Sequence, residues 1–170
     1  MTGNPHFETA RTWKAAHAML EFKPRQPRHT AGLRLQSLRI HVRDHKQREL
    51  PVAERTLEAH YGRFVLSQVR KDAAEARRLA IEVSYGRTPK DIQIAGCAGR
   101  AYERGPEPEQ DDIDRRSPSV VVWHDGEMVY LIASDQMASS DLVRIARSLY
   151  PRELFRLPRP RYRSRGNENV

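Results

Sequence analysis

Cysteine is almost absent: the chain of 170 residues has one, Cys97. A single cysteine excludes an intramolecular disulfide and a cysteine-rich zinc site, and it fits a reducing compartment. Lysine is scarce as well, at Lys14, Lys23, Lys46, Lys71 and Lys90, although lysine and arginine together number 30. Arginine therefore carries most of the positive charge, and its planar fork suits phosphate and carboxylate. Apolar residues reach only 38% and aromatic ones 7%. Several segments must then stay solvated, around a compact core. No apolar run approaches the roughly 18 residues of a membrane-spanning helix. The opening residues Met1 to Phe7 lack the apolar stretch of a signal peptide. The expected location is cytoplasmic.

What is present fits one domain of ordinary size over residues 1–150, with a basic segment over 151–170. Residues 8–20 have helical spacing, with Trp13, Ala16 and Leu20 on one stripe. Pro24 and Pro27 end that helix and stiffen an extended connection. Residues 33–43 alternate apolar and polar, but the phase slips near Gln36 and Ser37. That slip predicts a bulge or bend in a half-buried strand. Residues 55–61 and 63–70 read as two strands around Gly62. Residues 72–80 are alanine-rich and helix-prone. Residues 81–85 look like strand, and Gly86 with Pro89 marks a turn. A hairpin around Gly96 and Gly99 follows.

Residues 103–116 carry Pro106, Pro108 and six carboxylates: Glu103, Glu107, Glu109, Asp111, Asp112 and Asp114. Such a run predicts a solvated acidic loop. Next comes Ser119 to Ser134, two strands around Asp125-Gly126, a dipeptide suited to a type I′ turn. Leu142, Ile145, Ala146 and Leu149 then form the stripe of a helix. Ser139 or Ser140 would be its N-cap and Pro151 its stop. The expected fold class is α+β: a mostly antiparallel sheet of about six or seven strands, with an N-terminal and a C-terminal helix packed on one face. Trp123, Tyr130, Leu142, Ile145 and Leu149 are the expected core.

Several residues invite a chemical reading. His124, Asp125 and Glu127 cluster in sequence, but a hairpin tip offers neither a concave setting nor a buried orienting partner. His41 and His45 share the spacing of a helical zinc motif. On a strand they would lie roughly 13 Å apart, too far for one ion, at ~3.3 Å per residue. Gly96-Cys-Ala-Gly99 lacks the lysine of a phosphate loop and does not open a helix. Cys97 reads as a small buried side chain. No catalytic residue, cofactor site or metal site is expected from these patterns.

The candidate partner-binding residues are instead Arg152, Arg156, Arg159, Arg161, Arg163 and Arg165, with Phe155 and Tyr162 between them. Clustered arginines suit nucleic acid or an anionic membrane surface, and the aromatic rings could stack on bases. A protein partner, engaged through the exposed sheet face, the acidic loop or the arginine-rich tail, is the leading expectation. Nucleic acid is the second, and a hydrolase or transferase the third.

Short motifs carry a family likeness. They are Ile92, Ile94 and Gly96, then Val120 to Trp123 with an acidic-glycine turn, Tyr130 to Ser134, and Ile145 to Leu149. Phe22, Pro24, Pro27, Gly32 and Leu35 add an opening motif. Together they resemble the small bacterial domain of unknown function found at the C-terminus of sporulation-type and anti-sigma-factor-like proteins. The resemblance covers about residues 13–150. It implies an α+β fold and a binding or sensing role without catalytic residues. The zinc-binding helical module and membrane span that precede this domain in many such proteins have no counterpart here. The sigma-factor connection is therefore not carried over.

Overall fold

The computed structural model describes residues 6–73, 76, 87–105 and 117–151. They form an α+β fold built on one antiparallel sheet. Its strands are β1 (Phe7–Ala10), β2 (Ser37–His41), β3 (Thr56–His60), β4 (Val65–Arg70), β5 (Lys90–Ile94), β6 (Cys97–Tyr102), β7 (Ser119–Asp125) and β8 (Met128–Ser134). The order is β1-β2-β3-β4-β8-β7-β6-β5. Two four-stranded meanders therefore join at β4 and β8, in the middle of the sheet. Two helices accompany it, α1 (Trp13–Ala18) and α2 (Ser139–Arg147).

Eight strands exceed the expected six or seven. One of them is β1, three of whose four residues, Glu8 to Ala10, fall inside the expected 8–20 helix. Phe7 to Ala10 pair instead with His41 to Leu38. The helix starts only after Thr12, whose side chain accepts the Ala15 N–H at 3.1 Å. A ladder partner from β2 thus overrides local helix propensity. The apolar stripe itself stands: Ala16 and Leu20 are buried, and Trp13 is partly buried against the core.

The expected bulge near Gln36 and Ser37 is the start of β2, not a kink within it. Thr30 to Leu33 form a turn, with Ala31 at φ 53° and Gly32 at φ 77°. Leu35 stays 36% exposed. Leu38, Ile40 and Val42 are buried in the core, and Leu33 packs partly buried against it.

Register explains which side chains meet. One row crosses the sheet through Ile40, Leu57, Gln68, Tyr130, Trp123, Gly99 and Ile92. A parallel row runs through Leu38, Ala59, Leu66, Ile132, Val121 and Ala101. Side chains at alternate positions share a face. This face therefore carries the main core, together with Ala16 of α1 and Leu142, Ile145 and Ala146 of α2. The five expected core residues are all buried. The other face has smaller clusters, Tyr102 with Val120 and Leu131, and Val69 with Ala73 and Ala76.

Two local expectations change. The loop between β7 and β8 is Gly126-Glu127, because Asp125 pairs with Met128. Gly126 takes φ 56° while Glu127 does not go positive. That is the pattern of a type II′ turn, which puts glycine first, and not of type I′. The shift makes Asp125 the last residue of β7, on the face that carries Trp123. The α2 N-cap is Ala138, not Ser139 or Ser140, and Ala138 makes no side-chain cap bond. Glu103, at the end of β6, supplies the carboxylate instead: it accepts from the Ser139 hydroxyl and from the Ser139 N–H at 3.3 Å. A negative group there also complements the positive end of the helix.

Among the described residues no helix is long and apolar enough to cross a membrane. Most of the expected 72–80 helix, the 81–85 strand, residues 106–116 of the acidic loop and the basic segment from Arg152 onward lie outside the described residues.

Candidate functional site

Gln68 is a polar side chain in an apolar row, and it has no exposure. A buried amide must find partners. Its partners come from the connection after α1, where Pro24 and Pro27 flank Arg25. The Arg25 N–H donates to Gln68 Oε1 at 2.8 Å, and Gln68 Nε2 donates to the Arg25 carbonyl at 2.7 Å. The side-chain amide thus offers the connection the same pair of bonds a neighbouring strand would offer.

The Arg25 side chain then spreads over β7 and β8. Its Nε donates to the Tyr130 hydroxyl at 2.9 Å, and Nη2 donates to Asp125 Oδ2 at 2.8 Å. The guanidinium lies 4.5 Å from the centre of the Tyr150 ring. Trp123 Nε1 donates to the Tyr150 hydroxyl at 2.9 Å. Trp123 and Tyr130 stack with ring centres 5.1 Å apart. Gly99 makes room for this stack: a Cβ there would fall 2.9 Å from Trp123 Cβ and from the Val122 carbonyl oxygen.

The electrostatics are matched. Burial opposes the charge on Arg25, but the Tyr130 hydroxyl and the Asp125 carboxylate outweigh it and raise its pKa. Burial pushes the Tyr130 and Tyr150 hydroxyls upward, so both stay neutral near pH 7. The Arg25–Asp125 pair is half-exposed, so its contribution is modest, about 1 kcal/mol or less. The cluster ties three segments together: the proline-flanked connection, the β7–β8 pair and the end of α2.

The residues singled out from sequence fall as follows. His124 is exposed on the opposite face from Asp125, while Asp125 belongs to the Arg25 cluster. Glu127 is an exposed turn residue, 4.0 Å from Arg70. His41 stacks on Phe7 at 4.9 Å, and His45 sits exposed in the following loop. Among the described residues no group of three His, Cys, Asp or Glu side chains is placed to hold a metal ion. Gly96 is in the β5–β6 turn, but Gly99 is in β6. Cys97 is only partly buried, at the core margin, because it is the first residue of an edge-side strand. Burial, with Asp125 adding to it, raises its thiol pKa. The eight tail candidates, Arg152, Phe155, Arg156, Arg159, Arg161, Tyr162, Arg163 and Arg165, lie outside the described residues.

Sequence reasoning missed Arg25, Gln68 and Tyr150. One signal was there: Gln68 takes the buried phase of its strand, two residues after Leu66. A polar residue in that phase asks for a partner. Comparison with protein families, with curated proteins and with solved structures gives no match.

Proposed function

We propose that this chain is a non-enzymatic accessory module that engages another protein, with the arginine-rich segment from Arg152 onward as one contact. The observation that supports it is the anchoring of Tyr150. That side chain is buried, held by Trp123 and covered by Arg25. The chain therefore leaves α2 from a fixed point, two residues before the first of the six arginines. An anchored base confines the segment near the domain and raises its effective concentration at a partner bound there. The reading takes both helices to pack on the face that carries Trp123. It agrees with the likeness to the sporulation-type domain, which implies binding rather than chemistry.

The test is recovery of the partner by the full chain and by a chain lacking residues 152–170. Loss of recovery on truncation is the expected result. Unchanged recovery removes the segment from the proposal. Recovery that disappears after nuclease treatment and falls steeply with salt would assign the segment to nucleic acid instead.

A further inference from the structure

We propose that the free edge of β5, beside α2, takes up an extended peptide bearing carboxylate side chains as an added strand. This rests on the reading that the chain engages another protein, but it names a different surface from the arginine segment.

The edge is open. β5 is last in the sheet order, and no strand lies beyond it among the described residues. Ala95 and Gly96 close the β5–β6 hairpin at φ 52° and φ 84°, as in a type I′ turn. In such a hairpin the flanking pair, Ile94 and Cys97, exchanges both backbone bonds. Alternation then turns the N–H and C=O of Asp91 and Gln93 outward. A separate contact agrees: the Gln93 carbonyl accepts from Arg147 Nη2 at 3.5 Å, so that oxygen points away from β6.

A helix lies alongside. α2 contacts β5, and its Val143 packs partly buried against the core, as does Ile92 of β5. A strand edge next to a helix is a recurring seat for extended peptides, with backbone bonds on one side and side-chain seats on the other. The helix-facing rim carries Lys90 and Arg147, both exposed. Asp91 lies on the opposite face, one residue out of phase with Ile92. Carboxylates on the peptide would meet these cations, and the chain's net charge of +8 favours the encounter.

The outward N–H and C=O groups select a polypeptide over nucleic acid or lipid, which have no strand to pair. A second copy pairing through its own β5 is disfavoured, because a two-fold axis at Ile92 would line up Arg147 from both copies along one seam.

The test uses the full-length chain labelled with nitrogen-15 and a capped octapeptide of alternating glutamate and valine. The expected result is amide shifts and slowed exchange at Asp91 and Gln93. A lysine–valine octapeptide should produce neither. Gln93→Pro removes an N–H that the sheet does not use, so the melting temperature should hold while peptide binding disappears. Arg147→Glu should weaken binding about fivefold. Equal responses to the two peptides, shifts confined to residues 152–170, or binding that survives Gln93→Pro would each overturn the proposal. So would a peptide-free chain that sediments as a dimer with both amides already protected. Protection at Asp91 and Gln93 in a chain whose partner recovery ignores the arginine segment would sustain this inference and remove that segment from the broader reading.

Discussion

Replacing Gln68 by Leu tests the central structural claim. Leucine suits the apolar row between Leu57 and Tyr130 and conserves most of the volume. It cannot make the bonds of 2.8 and 2.7 Å to the Arg25 backbone. An orphaned backbone group costs about 1–3 kcal/mol, and Arg25 is half-exposed, so the low end applies to each of the two groups. The added apolar carbons return about 1 kcal/mol. The net loss is about 1 kcal/mol, or a melting temperature lower by about 2–4 °C. Thermal unfolding followed by circular dichroism reads the first effect, and amide exchange at residue 25 reads the second. Exchange there should accelerate in Gln68→Leu. In Arg25→Ala it should stay slow, because Gln68 holds the backbone and not the guanidinium. A Gln68→Leu chain with unchanged melting and unchanged exchange would refute the tie between connection and sheet.

Trp123→Ala should cost about 3–5 kcal/mol, since the ring is buried, stacked on Tyr130 and bonded to Tyr150. His124→Ala, one residue along and exposed, should fall within about 0.5 kcal/mol in the same denaturant titration, and comparable losses would mean the hairpin register is wrong. Gly99→Ala should lose about 1–3 kcal/mol through the contact with Trp123, measured by urea unfolding; a neutral result would mean β6 and β7 can separate there without cost. Asp44 accepts backbone N–H bonds from Arg48 at 3.0 Å and from Lys46 at 2.8 Å, led by Arg48, and its pKa falls from 3.8 to about 2. A depressed carboxylate contributes stability that is full above the unfolded value and drains as pH falls from about 4 through about 2. Carboxyl NMR should place its midpoint near 2, and a midpoint near 3.8 would show the loop does not hold it.

Much of the architecture was legible because hydrophobic phase is a local property. The alternation in residues 119–134 and the stripe through Leu142, Ile145 and Leu149 put those elements in place before any contact was known. The errors sit where a distant partner decides. Residues 7–10 became a strand because β2 offered a ladder. Ser139 lost its role as a cap because Glu103, from the end of β6, reached the helix start. Asp125 left the turn because the two-residue loop sits one position later, which puts Asp125 in β7 in phase with Trp123 while every strand residue keeps its face.

By itself, then, the sequence determined the α+β class, the antiparallel character and the apolar members of the core, all consequences of periodicity and composition. It also showed six arginines clustered within residues 152–165. Only the tertiary structure decided that β4 and β8 are neighbours, that Gln68 receives the Arg25 backbone, and that Asp125, Tyr130 and Tyr150 surround its guanidinium. The physical reason is separation: these partners stand 43 residues or at least 100 residues apart, and no short-range pattern encodes which of many polar residues will meet.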